Sequence, residues 1–118
     1  MRLIDGTTVT VREPEWCAGE HENGKALADL CHDGPESALR VQFEGWPIDL
    51  LHVALTQHPY ALAEAERRTV ATMDLGDGPY PFDSAGLRML AAELAVYAGR
   101  LRDLARQLAA VEAREVGR

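Results

Sequence analysis

Four side chains able to hold a borderline-soft metal ion, Cys17, His21, Cys31 and His32, fall within 16 positions of this 118-residue chain. Thiolate and imidazole together suit Zn²⁺, which in a structural site takes four such ligands in a tetrahedron. Cys17-x3-His21 lies within zinc-ligand spacing, and one short turn can aim both residues at a single ion. Cys31 and His32 are sequence neighbours, and neighbours in an extended chain point to opposite sides. Both can ligate only if the backbone turns there, and Gly34-Pro35 offers a turn. The expected set is therefore Cys17, His21, Cys31 and His32 around one zinc ion, with Cys31 or Glu13 as the ligand that closes it.

Two other chemistries compete for the same residues. If only Cys17, His21 and His32 bind, an open position remains, and a water there can ionise near neutral pH with Glu20 or Asp33 as base. That is the arrangement of a small metal-dependent hydrolase. Against it, the chain has no H-E-x-x-H, no paired carboxylates at fixed spacing and no nucleophile elbow. A Cys17–Cys31 disulfide is the second competitor. The first residues carry one basic side chain and no apolar stretch, so no export signal is read and a reducing, cytoplasmic setting is expected.

The elements that must position these ligands follow from periodicity. The candidate ligands lie in a Gly-, Pro- and acid-rich territory, residues 13–36, and a loop that long in a compact domain calls for a staple. Alternation and β-branching predict strands over 7–12, 37–44, 51–56 and 69–75, with a connecting loop containing one helical turn over 60–68 and turn material at 76–81. From Ser84 to about residue 114, apolar residues recur at Leu87, Leu90, Leu94, Tyr97, Leu101, Leu104, Leu108 and Val111, alternately three and four apart. That 3.5-residue repeat predicts one long amphipathic helix, at ~1.5 Å per residue about 45 Å long, which overhangs any sheet the chain can build. The predicted class is α+β: a single domain with a small antiparallel sheet of three to four strands, a metal-stapled loop and a long C-terminal helix. The helical stripe predicts a homodimer.

Pro14-x-Trp16-Cys17-x3-His21 followed by Asp29-x-x-His32-x-Gly34 resembles the signature of a family of small uncharacterised actinobacterial proteins. The resemblance implies a Trp-Cys...His...His stretch ahead of short strands and a C-terminal Ala/Leu-rich helix, over roughly residues 7–112. Many members of that family carry a further Cys just before the Pro, where this chain has Glu13. The family implies no activity.

Charge narrows the partners. Nineteen acids against twelve bases give −7, with −9 over residues 1–83 and +2 over residues 84–118. A field of that sign repels phosphate, so nucleic acid is an unlikely partner, leaving only the helix arginines as an exception. No apolar run is long enough to span a membrane, and no phosphate-binding glycine motif is present. His52 is expected to face solvent or hydrogen-bond, and Trp16 and Trp46 to cover the metal loop or the sheet edge. Arg102 and Arg106, like charges four apart, point to an acidic partner such as a second subunit. The function this predicts is a non-enzymatic zinc-binding interaction or regulatory module.

Overall fold

The computed structural model describes residues 1–19, 21 and 24–117. The chain forms two compact units, one over Met1–Ser84 and one beginning at Ala85.

The first unit is built on an antiparallel sheet of β1 (His32–Asp33), β2 (Ser37–Phe43), β3 (Trp46–Gln57), β4 (Val70–Asp74) and β5 (Pro79–Phe82). Strand β3 is the spine: β1 and β2 lie along one edge, and β4 then β5 along the other. A two-residue turn at Glu44-Gly45, both at positive φ (50° and 82°), joins β2 to β3, as right-twisted hairpins favour. Between Ser37 and Leu39 the pairing register shifts, and Leu51 opposite takes the left-handed conformation at φ 54°. The extra residue on β3 is a bulge, which bends a strand and increases its twist.

The sheet has five strands against the three to four expected, because β1 and β5 are added while residues 7–12 drop out. Pro79-Tyr-Pro81 reads as turn material, yet with Phe82 it is an edge strand whose prolines stand opposite Asp74 and Thr72. A proline has no N–H to give, so it is tolerated where no strand lies beyond. It also blunts that edge against further pairing. Pro47 is accommodated in the same way, because β4 pairs with β3 only over Val53–Thr56. By contrast, residues 7–12 do not form the predicted first strand. They contribute one isolated bridge, Arg2 with Thr8, and Leu3 bridges instead to Lys25. The connection after β3 holds one short 3₁₀ turn, Glu64–Arg67, as its composition predicts.

Leu30 at 1% exposure is the deepest apolar side chain, with Leu3, Ala61, Ala71 and Met73 also buried and His32 the one buried polar residue among those described. Trp46 is exposed, against the expectation that it covers the loop or the sheet edge. The second unit is a helix, α1 (Ser84–Val116), two residues longer than its predicted end at about 114. The row Leu94, Tyr97, Leu101, Leu104, Leu108 runs exposed along it, since a single helix cannot bury its own stripe. Arg106 pairs with Asp103 one turn back, which relieves its repulsion with Arg102. No helix is long and apolar enough to cross a membrane, among the described residues.

Truncating Leu30 to Ala should cost about 2–5 kcal/mol of unfolding free energy. Leu62→Ala, at a site 90% exposed, should change it by less than about 0.5 kcal/mol. Urea denaturation followed by circular dichroism checks both.

Candidate metal centre

The loop preceding β2 is folded back by a small number of backbone bonds. Cys17 N–H donates to the Pro14 carbonyl (3.0 Å), closing a turn that lifts Cys17 out of the extended chain. Ala18 N–H donates to the Asp33 carbonyl (2.8 Å), and Gly34 N–H to the Leu55 carbonyl (2.8 Å). The Cys17 turn is thereby tied to β1, and β1 to the spine of the sheet. Gly34 is favoured by close approach: a Cβ there would stand 3.1 Å from the Trp16 carbonyl oxygen and 3.6 Å from Leu55 Cβ. Trp16 in turn sets its ring edge-on to His32, with centroids 6.4 Å apart, and so covers the loop as expected.

This folding brings Glu13, Cys17, His21 and His32 together, with one ligand atom from each all within 4.8 Å of one another. Cys17 Sγ lies 3.8 Å from His21 Nε2. The same nitrogen lies 2.5 Å from Glu13 Oε1, to which it can donate. The rings of His21 and His32 meet edge to face at 5.3 Å. Gly19 N–H donates to Cys17 Sγ at 3.4 Å. Gly19 reaches that position at φ 79°, which a residue with a side chain adopts reluctantly.

Three of the four residues singled out in the sequence are therefore neighbours, and the fourth is not. Cys31 is absent from this group; its thiol donates to Asp33 Oδ1 at 3.3 Å. Burial, reinforced by the hydrogen bond to Asp33 and its negative charge, pushes the Cys31 thiol up to about 11, so it stays protonated at neutral pH. The reason lies beside β1: Cys31, just before the strand, reaches Asp33 two residues on, so His32 between them points to the opposite side. His32 faces inward at 2% exposure. Glu13 takes the remaining place. Both cysteines are free thiols, so the disulfide is not formed. Of the two bases considered for an open site, Asp33 accepts from Cys31, and Glu20 lies outside the described residues. His52 is hydrogen-bonded to Glu36, away from this group.

His32 is electrically distinctive. Its Nδ1 is buried and has no hydrogen-bond partner. Burial, and then the neighbouring His21, hold its pKa below the ordinary histidine value. The neutral imidazole is the ligand form.

A group that binds its proton less readily when folded makes stability fall as pH drops below the unfolded value, near 6.5 for histidine. The urea midpoint of the metal-free protein should therefore decline between about pH 7.5 and 5. His32→Gln should flatten part of that slope. Gly34→Ala should destabilise by about 1–3 kcal/mol in the same assay, because backbone rather than a flexible side chain must yield.

No curated protein matches the chain, and no solved structure does. A family of domains of unknown function matches over residues 2–110, a span that takes in all four clustered side chains, both hairpin strands and most of the helix. On that match the chain belongs to the DUF6907 family.

Proposed function

We propose that Glu13, Cys17, His21 and His32 hold a single zinc-type ion, and that the ion staples the N-terminal loop of a non-enzymatic interaction module. The observation that carries this reading is the convergence of four donors from separate chain positions within 4.8 Å, one of them a buried imidazole with an unpartnered nitrogen. The donor chemistry fits. Two imidazoles, one thiolate and one carboxylate are borderline ligands, and the two anions offset the two charges of the cation. Ligands at about 2.0–2.3 Å from a tetrahedral ion stand roughly 3.3–3.8 Å apart. Cys17 and His21 are already at that separation, the widest pair needs to close by about an ångström, and Glu13 and His21, 2.5 Å apart, need to open by somewhat less. The proton that His21 Nε2 can give Glu13 is one a cation could replace, and coordination at His32 Nδ1 would give that atom the partner it lacks. The free thiols of Cys17 and Cys31 suit a reducing, cytoplasmic setting.

The exposed helical row supports self-association through α1 as the second half of this reading. Leu94, Tyr97, Leu101, Leu104 and Leu108 keep coiled-coil spacing, and a helix with such a seam lowers its free energy by pairing with another copy.

One observation favours a rival. A cavity of about 380 Å³ is lined by Val9, Val11, Leu30, Glu13, Gly19 and His21, and so reaches two of the four donors. If Glu13 left the ion, a substrate could approach from there, as in a small metal-dependent hydrolase.

Elemental analysis and zinc titration test the proposal. One equivalent of metal per chain is expected. Cys17→Ser and His32→Gln should abolish tight binding and Glu13→Gln should weaken it, while Cys31→Ser should leave it unchanged. Equal loss on Cys31→Ser, or no bound metal at all, would overturn the assignment. Ester or phosphate hydrolysis that depends on the metal would favour the rival.

A further inference from the structure

The β2–β3 hairpin divides at the bulge. Beyond Val53, β3 is flanked by β4. From Trp46 to Leu50 it is paired only with β2, so residues 39–50 form a two-stranded ribbon outside the wider part of the sheet. Such a ribbon is marginal in water unless one face is covered. Its two faces differ sharply. Residues directly opposite each other share a face, so the pairs Leu39–Leu50, Val41–Ile48 and Phe43–Trp46 form three successive apolar rows. The other face carries Arg40, which clasps Asp49 through two bonds of 2.7 and 3.0 Å, along with Gln42 and Pro47.

All six apolar side chains are exposed, from 42% at Val41 and Ile48 to 74% at Trp46. Together they offer on the order of 600 Å² of apolar surface, at the top of what monomers leave bare. Two such faces would bury about 1,200 Å², the lower end of a stable interface. The patch also suits itself. The bulkiest row, Phe43–Trp46, is at the tip, and the Leu39–Leu50 row is at the base. A two-fold stack places tip over base at both ends and the middle row, Val41–Ile48, over its own copy. Arg40, Glu44 and Asp49 leave the ribbon only one net negative charge, so the −7 of the whole chain is not concentrated there. Sheet faces pack about 10 Å apart, a distance these side chains fill.

We propose that the apolar face of the β2–β3 ribbon is an isologous interface with a second copy of this chain. The interface is separate from association through α1, and it holds whether or not that association occurs. Phe43 and Trp46 are its anchors, since large aromatics supply most of the energy of such patches.

Sedimentation equilibrium of the full chain at micromolar concentration is the test, run in a Leu101→Glu/Leu104→Glu background so that the helical seam cannot contribute. The expected mass is twice the 12.9 kDa of one chain. Added Ile48→Lys and added Ile48→Glu should each halve it, with sheet content unchanged by circular dichroism. Mixing the two in equal amounts should restore the doubled mass, because an isologous face sets the introduced charges against each other. The pair Val41→Lys and Val41→Glu repeats this at the neighbouring position should either Ile48 variant unfold. A single-chain mass for the helix-substituted protein, a doubled mass that survives the ribbon charges, or mixtures that stay monomeric would overturn the proposal. Failure of the helical reading shows separately, as helix substitutions that leave the wild-type mass unchanged.

Discussion

The first unit depends on how a polar, glycine-rich segment is held against a sheet with little apolar material to hold it. Two backbone bonds carry most of that task, Ala18 to Asp33 and Gly34 to Leu55. Each is individually modest, about 1 kcal/mol net. Their leverage comes from position: one ties the Cys17 turn to β1, and the other ties the end of β1 to β3. Between them His32 is carried into the interior, where Trp16 closes over it and Gly34 leaves room for the Trp16 backbone. The cost is a buried imidazole nitrogen without a partner, a kind of defect that folded proteins rarely retain without a use. A cation shared with Glu13, Cys17 and His21 is the use that the surrounding chemistry fits.

How far the site could be read from the chain follows from what each residue type signals. Thiols and imidazoles are scarce, so Cys17, His21 and His32 stand out against any background. Carboxylates are common in this acidic chain, so Glu13 stands in the sequence only as an alternative to Cys31 for the closing position, and it is the Pro14–Cys17 turn that sets it beside His21. Whether Cys31 and His32 could both ligate, as expected, depends on the backbone turning at that point. It does not: two residues of strand, paired to Gln57 and Thr56, keep the chain extended and send the side chains apart.

The same logic divides the fold. The helix was legible because its repeat persists through many turns, and β2 and β4 because their alternation sits between breakers. Strand β5 was hidden because its two prolines signal a turn unless the strand has an open edge. Residues 7–12 misled because β-branched alternation states a preference that only pairing can satisfy. There, Thr8 finds a single bridge partner and the segment goes no further. The bulge at Leu51 had no sequence signal, since leucine is an uncommon choice for a left-handed position.

That bulge links the two halves of the first unit. On the sheet side, the spine strand gives its edge to β1 and so anchors the loop that gathers the four donors. On the ribbon side, the same strand turns its apolar side chains out of the small core and presents them in rows. A flat continuation would have left those rows on the plane of the sheet; the added twist at Leu51 gives them a face of their own. Keeping a non-glycine residue at positive φ costs on the order of 1 kcal/mol or more, and a chain with so few fully buried apolar residues has little stability to spare. Such a cost is sustained where the re-aimed surface returns it in contacts, and the contacts that an apolar ribbon of this size can make lie outside its own sheet.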